Sequence, residues 1–303
     1  MTMEAALQQA LAASIMEATH ADFAISSVAP VAGGCIHTAL CLSGEDAGGK
    51  RKYFAKLCEI ERAPMLDAEA DGLGAIAKVG ALRVPHVVAR GKDQEEERAW
   101  LVLEWLELAP LEAVSGARLG EALAAQHRVP QKQFGWSKDN FIGASPQLNG
   151  WSDDWLTFWR EKRLHAQLRF AAHNRLPSRM IGRGERLMAD CDEFFRSRRV
   201  QPSLLHGDLW AGNAAACEGG AMVFDPAVYC GDHEADLAMT ELFGGFPKDF
   251  HAAYRAAWPK EDDYAVRRDF YNLYHVLNHA NLFAGHYVKQ GEQAIERLLA
   301  ELG

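Results

Sequence analysis

The chain of 303 residues carries 41 acidic and 32 basic side chains, and its net charge of −9 argues against nucleic acid or an anionic membrane surface as the main partner. A hydrophobic content of 49% and a charged content of 24% are ordinary for a globular protein, and the length predicts two lobes. No apolar run approaches the roughly 18 residues of a membrane span. The six cysteines form no C-x-x-C pair and no zinc spacing, which indicates a reduced, cytoplasmic protein.

The amino-terminal segment, Met1–Thr19, has the pattern of a mildly acidic amphipathic helix and lacks the basic start of a signal peptide. Two apolar, β-rich runs follow, Phe23–Val31 and His37–Leu42, with Gly33-Gly34 between them. Because glycine has no Cβ, the tip of such a hairpin can bring backbone N–H groups close to phosphates. We therefore predict that Gly33 and Gly34 bind the nucleotide, although Gly-Gly turns are also common elsewhere.

The run Tyr53–Leu57 predicts a strand in which Lys56 stands among apolar neighbours, as in the lysine strand of protein kinases. A helix is predicted from Pro64, and Glu69 shares its apolar face. A carboxylate on a buried face needs a partner, and Lys56 is the predicted one, giving the pair that positions phosphates in kinases. The alternatives are a lysine that reaches water at a strand edge and a partly solvated glutamate.

Two more strands are predicted after this helix, and the last of them, Ala99–Trp105, is apolar except for Glu104. In a kinase this strand leads into the hinge, so we predict that Glu104 and Leu106 contact ATP; a plain buried strand is the alternative. The boundary falls near Leu106, between an ATP-binding lobe of residues 1–106 and a catalytic and substrate lobe of residues 107–303. Helices are predicted in the second lobe at Leu119–His127, Asp153–Ala172, Arg183–Arg196, Asp232–Leu242, Pro247–Ala257, Asp263–Phe283 and Glu292–Glu301.

The most informative string in the chain is Leu205-His206-Gly207-Asp208-Leu209-Trp210-Ala211-Gly212-Asn213, followed by Val223-Phe224-Asp225-Pro226. Protein kinases carry H-R-D-L-x-x-x-N and then D-F-G. Here His206, Asp208, Leu209 and Asn213 fill the first pattern position for position, and Asp225 opens the second. The string therefore predicts phosphoryl transfer from ATP. For H-x-D alone, the alternative is a chance tripeptide or a helix N-cap.

The same spacing predicts one residue that faces the acceptor hydroxyl and two residues that bind magnesium. Asp208 is the predicted catalytic base; with a reference pKa of about 3.9 it would orient the acceptor hydroxyl and accept its proton late. Asn213 and Asp225 are the predicted metal ligands, because Mg²⁺ prefers oxygen donors. These elements predict an α+β, protein-kinase-like fold with two lobes, the first an antiparallel sheet with one key helix and the second mostly helical.

The region after Asp225 differs from that of protein kinases, which carry a long activation segment on which a peptide docks. In this chain Asp225-Pro226-Ala227 is followed almost at once by the acidic stretch Gly231–Asp236 and a predicted helix. Gly207 replaces the arginine of H-R-D. These differences indicate a small-molecule acceptor or a small group displayed on a protein, and they argue against control by phosphorylation.

Longer strings resemble the fructosamine/ketosamine-3-kinase family. They are Leu204–Asn213, Phe224–Tyr229, Glu234–Phe246, Phe134–Gly143 with Gln147 and Asn149, and Tyr271–His279, and together they span nearly the whole chain. The resemblance implies a protein-kinase-like fold related to aminoglycoside and choline phosphotransferases. It also implies ATP- and magnesium-dependent phosphorylation of the 3-hydroxyl of a ketosamine, a fructosamine or ribulosamine adduct of an amine or a protein lysine, which leads to deglycation.

The resemblance implies the same roles for Asp208, Asn213 and Asp225 and for the Lys56–Glu69 pair. Asp236 lies where these folds place an acid that braces the backbone of the catalytic loop; the alternative is a carboxylate that favours a helix N-terminus. His206 is predicted to orient the same loop through backbone hydrogen bonds rather than to transfer protons.

The phosphate loop departs from the family pattern. The expected Gly-Gly-x-Ile-Asn is here Gly33-Gly34-Cys35-Ile36-His37, which puts details of the loop in doubt but not ATP binding. Cys35 carries a separate hypothesis, since backbone donors and Lys56 would favour a thiolate whose oxidation switches ATP binding off. The alternative is an inert loop residue.

The substrate side is less determined by the sequence. Aromatic rings can stack on a sugar and carboxylates can receive an ammonium group, so the predicted substrate contacts are Trp210, Trp136, Asp139 and Asn140. The alternative is that the tryptophans, together with Trp155 and Trp159, belong to the core and that the acids are solvated.

Three functions are consistent with the sequence: a ketosamine 3-kinase, a kinase of another amino alcohol or aminoglycoside-like molecule, and a nucleotide-binding pseudokinase that regulates a partner. The pseudokinase predicts the loss of a catalytic group, whereas Lys56, Glu69, Asp208, Asn213 and Asp225 are all present. The preferred sugar and the oligomeric state do not follow from the sequence.

Overall fold

A five-stranded antiparallel sheet is built from the first third of the chain. Its strands are β1 (Ala24–Pro30), β2 (Thr38–Asp46), β3 (Gly49–Glu59), β4 (Val87–Asp93) and β5 (Arg98–Glu104), in the spatial order β1-β2-β3-β5-β4. The structure is a computed structural model, and it describes residues 5–32, 37–196, 198–259 and 261–303. Two helices flank this sheet, α1 (Ala5–Thr19) and α2 (Ala63–Val79).

Strand β3 directs alternate side chains to opposite faces of the sheet, as the period of a strand requires. Ala55 and Leu57 pack into the apolar cluster that includes α1. Cys58 packs into the cluster that includes α2, and Lys56 reaches Glu69 on that helix. The alternation therefore places Lys56 between the sheet and α2.

The rest of the chain is mainly helical. Its helices are α3 (Ala113–His127), α4 (Trp155–Trp159), α5 (His165–His173), α6 (Ser178–Asp190), α7 (His233–Leu242), α8 (Lys248–Ala257), α9 (Tyr264–Phe283) and α10 (His286–Glu301). Short 3₁₀ turns lie at Ile60–Arg62, Cys191–Phe195 and Ala211–Asn213, and a π-helical turn, Arg160–Leu164, joins α4 to α5. The predicted α+β class, with a sheet first and helices after it, is confirmed.

Short strands complete the second part of the chain. They are β6 (Phe134–Trp136), β7 (Asn140–Ile142), β8 (Ser145–Gln147), β9 (Gly150–Ser152), β10 (Ser203–Leu205), β11 (Ala214–Cys217), β12 (Gly220–Val223) and β13 (Tyr229–Gly231). Four of them form one sheet in the order β10-β13-β6-β9, while β11 pairs with β12 and β7 pairs with β8. The pairing of β10 with β13 brings the segment after Leu205 next to the segment before Tyr229.

Helix α3 begins earlier than the predicted start at Leu119. A capping box starts it, in which Ser115 Oγ accepts a hydrogen bond from the N–H of Glu112 at 2.8 Å and the Glu112 side chain accepts one from the backbone of Ser115. The first turn holds small residues and Val114, which is 68% exposed, so the apolar periodicity used for the prediction does not extend over it. The predicted helix Asp153–Ala172 is likewise divided by the π-helical turn.

Within the part of the chain that the structure describes, no helix combines the length and the apolar character needed to cross a membrane.

Candidate active site

Lys56 forms the centre of a buried ion-pair group. Its Nζ donates to Oε1 and Oε2 of Glu69 at 2.8 and 2.9 Å, and it also donates to Oδ1 of Asp225. Lys56 is 8% exposed and Glu69 9%, so the pair lies out of solvent, while the side chain of Asp225 is 44% exposed. The structure thus brings together three predicted site residues that are far apart in sequence.

The charges of this group influence each other's protonation. Burial alone would lower the pKa of Lys56, but the carboxylates of Glu69 and Asp225 outweigh it and raise that pKa. Burial raises the pKa of Glu69 to about 7, and the ammonium of Lys56 acts in the opposite direction. Lys56 is therefore a permanent cation beside the exposed carboxylate of Asp225.

The catalytic loop follows β10 and is held by Asp236 on α7. Oδ2 of Asp236 accepts the N–H of His206 at 2.7 Å, and Oδ1 accepts the N–H of Gly207 at 2.8 Å. Nε2 of His206 is bonded to the carbonyl of Phe224 at 3.0 Å, and burial lowers the pKa of this histidine. Gly207 has a φ of +83°, and a Cβ there would lie 2.1 Å from the carbonyl oxygen of Ala227. A neutral histidine, a glycine and a carboxylate thus fix the shape of the loop.

Asp208 and Asn213 lie side by side across the 3₁₀ turn at Ala211–Asn213. Nδ2 of Asn213 donates to the carbonyl oxygen of Asp208 at 2.9 Å and approaches its Oδ2 at 3.3 Å. Burial and the negative charge of Asp225 raise the pKa of Asp208 to about 7, although the hydrogen bond from Asn213 opposes this. Asp208 as a whole is half-buried.

Asp225 lies between β12 and β13 with a φ of +56°, in the left-handed region that a residue with a Cβ seldom adopts. Its neighbour Phe224 donates its N–H to the carbonyl oxygen of Asn213 at 3.0 Å. This bond holds the two predicted metal ligands next to each other.

The donor set fits a magnesium ion. Since the amide nitrogen of Asn213 is turned to Asp208, its amide oxygen is left to coordinate, and Asp225 offers an exposed carboxylate. Both are the hard oxygen donors that Mg²⁺ prefers. In the described ranges no group of three or more His, Cys, Asp or Glu side chains is arranged to hold a metal ion, so phosphate and water oxygens would have to complete the coordination shell.

The predicted hinge lies at the end of β5. The N–H of Glu104 donates to the carbonyl oxygen of His86 at 3.0 Å, and Oε1 of Glu104 accepts the N–H of His86 at 2.9 Å. Leu106 follows the strand and is half-buried. Glu104 therefore fixes the strand end through its side chain and its N–H, and its predicted contact with the nucleotide would have to come from its backbone carbonyl group.

Only part of the predicted phosphate loop belongs to the residues that the structure describes. Gly33, Gly34 and Cys35 fall outside the described residues, so their predicted roles stay predictions. His37, the residue that departs from the family pattern, is described: burial and the positive charge of Lys56 lower its pKa to about 4. A neutral imidazole therefore stands at the end of this loop, near Lys56.

The predicted substrate residues lie in two segments of the chain, residues 136–140 and the catalytic loop. Trp210 is 41% exposed on the catalytic loop, and Trp136 is half-buried with its ring centroid 6.3 Å from that of Trp151. Oδ1 of Asp139 accepts the N–H of Asn149 at 2.6 Å. Trp210 is the only one of the four predicted contacts that lies on the catalytic loop.

The structure argues against a substrate contact for Asn140. This residue is buried, its Nδ2 donates to the carbonyl oxygen of Val228 at 2.8 Å, and its Oδ1 accepts from Gln147 and Asn149. A side chain with both ends bonded inside the protein supports the fold instead. The sequence does not show this pairing, because the partner Val228 lies 88 residues away.

Trp155 and Trp159 are core residues, as the alternative interpretation held. They are buried in the large apolar cluster of the second part of the chain. The indole N–H of Trp155 donates to the hydroxyl of Tyr271 at 3.0 Å, and the rings of Trp159 and Tyr271 meet edge to face with centroids 4.9 Å apart.

Sequence reasoning missed one partner of the catalytic loop. His127, at the end of α3, places its Nε2 3.2 Å from Oδ2 of Asp236, and Tyr254 is bonded to its Nδ1 at 2.9 Å. Burial alone would raise the pKa of Asp236, but the hydrogen bond and charge of His127 help to lower it. The apolar periodicity of α3 puts His127 on the inner face, yet nothing local pairs it with a residue 109 positions later.

Comparison with known proteins gives one consistent result. The fructosamine kinase family model matches residues 7–301. A probable ketoamine kinase of Synechocystis is 42% identical over 297 residues, which cover 96% of each chain. The chloroplastic protein-ribulosamine 3-kinase of Arabidopsis thaliana is 36% identical over 281 residues, covering 92% of this chain and 84% of the relative.

Solved structures agree with this assignment. A crystal structure from Haemophilus somnus, named "putative fructosamine-3-kinase", superposes with a TM-score of 0.84 at 27% identity and covers 95% of this chain and 96% of the other. An ADP-bound aminoglycoside phosphotransferase reaches a TM-score of 0.62 at 13% identity, with 99% of each chain covered. The second match shows the protein-kinase-like fold alone.

Proposed function

The chain belongs to the fructosamine kinase family, and we propose that it is an ATP- and magnesium-dependent kinase that phosphorylates the 3-hydroxyl of ketosamines. The acceptors would be fructosamine or ribulosamine adducts of amines or of protein lysines. Phosphorylation at O3 would destabilise the adduct and release the amine, which is deglycation. The names of a ribulosamine 3-kinase and a fructosamine-3-kinase among the similar proteins support both the sugar class and the position.

The observation that carries the proposal is the position of Lys56, which contacts Glu69 on one side and Asp225 on the other. A cation held between these carboxylates is suited to bind phosphate oxygens next to a metal ligand. We propose that the nucleotide lies between a lobe of residues 1–106 and a lobe of residues 107–303, with Gly33 and Gly34 at its phosphates. The adenine would meet the backbone of Glu104 and Leu106.

The proposed chemistry divides among four side chains. Asn213 and Asp225 would hold magnesium, which supplies charge neutralisation for the transferring phosphoryl group when bound. Asp208 would orient the 3-hydroxyl by accepting its hydrogen bond and take its proton as the new bond to phosphorus forms. Lys56 would hold the transferring end of the nucleotide in line with that hydroxyl.

The loop geometry supports this division. Asp236 holds the backbone on the amino-terminal side of Asp208, and Asn213 holds its carbonyl group on the other side. Trp210, exposed two residues after Asp208, is the proposed face for the sugar ring. The acceptor would therefore lie between Trp210 and Asp208.

The test is ATP turnover with magnesium and ribulosamine-lysine or fructosamine-lysine as acceptor, with the phosphorylated position determined by NMR. We expect phosphate on O3 and a loss of about 10²- to 10⁴-fold in Asp208→Asn, the range typical of a general base. Asp190→Asn, an exposed change at the end of α6, is the matched control and should leave turnover unchanged.

A panel of aminoglycosides and simple amino alcohols distinguishes the alternatives. Turnover on one of these and on no ketosamine would refute the proposed substrate while keeping the kinase chemistry. Nucleotide binding without turnover on any acceptor would favour the pseudokinase.

A further inference from the structure

A network of buried amide side chains donates hydrogen bonds to the backbone just after the candidate metal ligand Asp225. Nε2 of Gln147 donates to the carbonyl oxygen of Ala227 and to Oδ1 of Asn140, both at 2.9 Å. Nδ2 of Asn140 donates to the carbonyl oxygen of Val228 at 2.8 Å. Gln147 is 1% exposed and Asn140 3%, so these bonds are formed away from water, where an unmade bond is most unfavourable.

The backbone from Asp225 to Val228, which this network binds, needs support from its surroundings. Asp225 adopts a left-handed backbone conformation that is strained for a residue with a Cβ, and such strain persists only where the surroundings impose it. On the side of the catalytic loop, the N–H of Ala227 donates to the carbonyl oxygen of His206 at 2.8 Å. The amide network supplies the support from the opposite side.

The same region of the chain also contacts helix α2, which carries Glu69. A Cβ at Gly72 of α2 would lie 3.2 Å from Cγ of Pro226 and 3.3 Å from Cγ1 of Val228, so the helix packs directly on the segment that follows Asp225. Lys138, two residues before Asn140, forms an ion pair with Asp71 on the same helix. The position of Glu69 is thus tied to the segment after Asp225.

Arg163 connects the amide network to the π-helical turn. Its Nη2 donates to Oδ1 of Asn149 at 2.9 Å, its Nη1 donates to the carbonyl oxygen of Leu148 at 2.5 Å, and its guanidinium lies 4.0 Å from the ring centroid of Tyr229. Asn149 in turn donates to Oδ1 of Asn140 at 2.9 Å. Arg163 is fully buried in the π-helical turn, an irregularity that is frequent at functional sites.

We propose that residues 138–149 form a built-in brace, which holds Asp225 and helix α2 in the arrangement that assembles the phosphate site, with Gln147 as its principal positioning residue. The proposal rests on the proposed kinase function. The stretch between Asp225 and α7 is too short to form a docking platform of its own, so the brace fixes the site permanently. A site held in this way needs no modification to become active.

The experiment compares two buried glutamines. Gln147→Met removes the donor to Ala227, whereas Gln126→Met changes a fully buried glutamine of α3 whose side chain has no hydrogen-bond partner among the described residues. One readout is the magnesium-dependent part of the rise in unfolding temperature caused by ADP, which requires no acceptor. The other is kcat with ATP and a ketosamine.

We expect Gln147→Met to lower kcat about 100-fold, the effect of a displacement of about 1 Å at a reacting group, and to abolish most of the magnesium-dependent shift. The shift caused by ADP alone should persist, a separation that a merely destabilised protein would not give. Equal effects in Gln126→Met, or an unchanged magnesium-dependent shift in Gln147→Met, would overturn the brace. A wild-type protein that shows the shift but turns over no ketosamine would refute the proposed function and leave the brace to be judged by the shift.

A second pair of variants tests the proposal even if Gln147→Met does not fold. Lys138→Met and Lys92→Met each remove a half-exposed lysine that forms an ion pair with α2, the first from the brace and the second from β4. Only Lys138→Met should reduce the magnesium-dependent shift. If Gln147→Met does not fold and the two lysine variants behave alike, the proposal fails.

Discussion

Nζ of Lys56 donates to both carboxylate oxygens of Glu69, at 2.8 and 2.9 Å. This two-fold contact joins the middle of the sheet to α2 and leaves the ammonium group in contact with Asp225 as well. The arrangement makes Glu69 responsible for where the lysine charge lies.

Glu69→Gln should lower kcat/KM for ATP about 10- to 100-fold, because a hydrogen bond to a charged group contributes about 1.5–3 kcal/mol. Steady-state kinetics at saturating acceptor measures this. Asp67→Asn, on the same helix but in a surface pair with Lys92, is the control and should change kcat/KM by less than about two-fold. A similar loss in both variants would contradict a specific role for the pair.

Gly207→Ala should destabilise the protein and disable the catalytic loop. The new Cβ would lie 2.1 Å from the carbonyl oxygen of Ala227, in a backbone conformation that disfavours any residue with a Cβ. We expect a loss of at least about 2 kcal/mol in the free energy of unfolding, measured in urea, and a larger than tenfold fall in kcat.

The comparison for this change is Gly49→Ala at the first residue of β3, directly after the turn from β2. Gly49 also has a positive φ, of 112°, but open space surrounds its Cβ position. If Gly49→Ala reduced turnover as much as Gly207→Ala, the close approach of Ala227 could not be the cause.

The sequence predicted those contacts of the site whose partners lie close together along the chain. The positions of Asp208 and Asn213 follow from a spacing of five residues, and the Lys56–Glu69 pair follows from the strand and helix periods over 13 residues. For Lys56 and Glu69 the periods of the strand and the helix fix the direction of each side chain, whereas for Asp208 and Asn213 the kinase spacing supplies the prediction.

The contacts that the sequence could not predict join side chains with no such rule. The prediction that Asn140 contacts the substrate rests on its place in the part of the second lobe most peculiar to the family, but the backbone that it binds is 88 residues away. The pairing of His127 with Asp236 likewise depends on how α3 packs near α7. An amide or imidazole in a sequence does not indicate whether its partner is a ligand or a distant part of the chain.

Histidines that are buried in the neutral form should lower the stability of the protein as the pH falls below about 6.5, against the opposite contributions of Glu69 and Asp208, whose pKa values burial raises to about 7. Burial lowers the pKa of His275 to about 3, whereas a histidine in the unfolded chain has a pKa of about 6.5. Between these values the unfolded chain binds a proton that the folded chain does not, so the free energy of unfolding decreases as the pH decreases. The slope is at most about 1.4 kcal/mol per pH unit for each such histidine.

Urea unfolding between pH 7.5 and 4.5 measures this slope. His275→Gln should reduce it by about one proton, while His173→Gln, an exposed change at the end of α5, should keep the slope of the wild type. A slope unchanged by His275→Gln would show that this histidine takes up its proton in the folded protein as readily as in the unfolded chain.

A buried ion-pair network on α7 and α9 gives the last prediction. Nε and Nη2 of Arg267 donate to the two carboxylate oxygens of Glu234 at 2.7 and 3.0 Å, and Arg198 donates to the same glutamate at 2.7 Å. All three side chains are at most 6% exposed. Removing one cation would leave a buried carboxylate undercompensated, an effect of about 3–5 kcal/mol.

Arg267→Met should therefore lower the free energy of unfolding by about 3 kcal/mol or more. Arg255→Met breaks a pair of the same kind with Glu241 at 3.0 Å, but Arg255 is 40% exposed, so the expected loss is about 1 kcal/mol or less. Because the network does not touch Asp208 or Asp225, turnover per folded molecule should stay close to that of the wild type in both variants. Equal losses of stability in the two variants would mean that water reaches Glu234 and that burial does not set the strength of this pair.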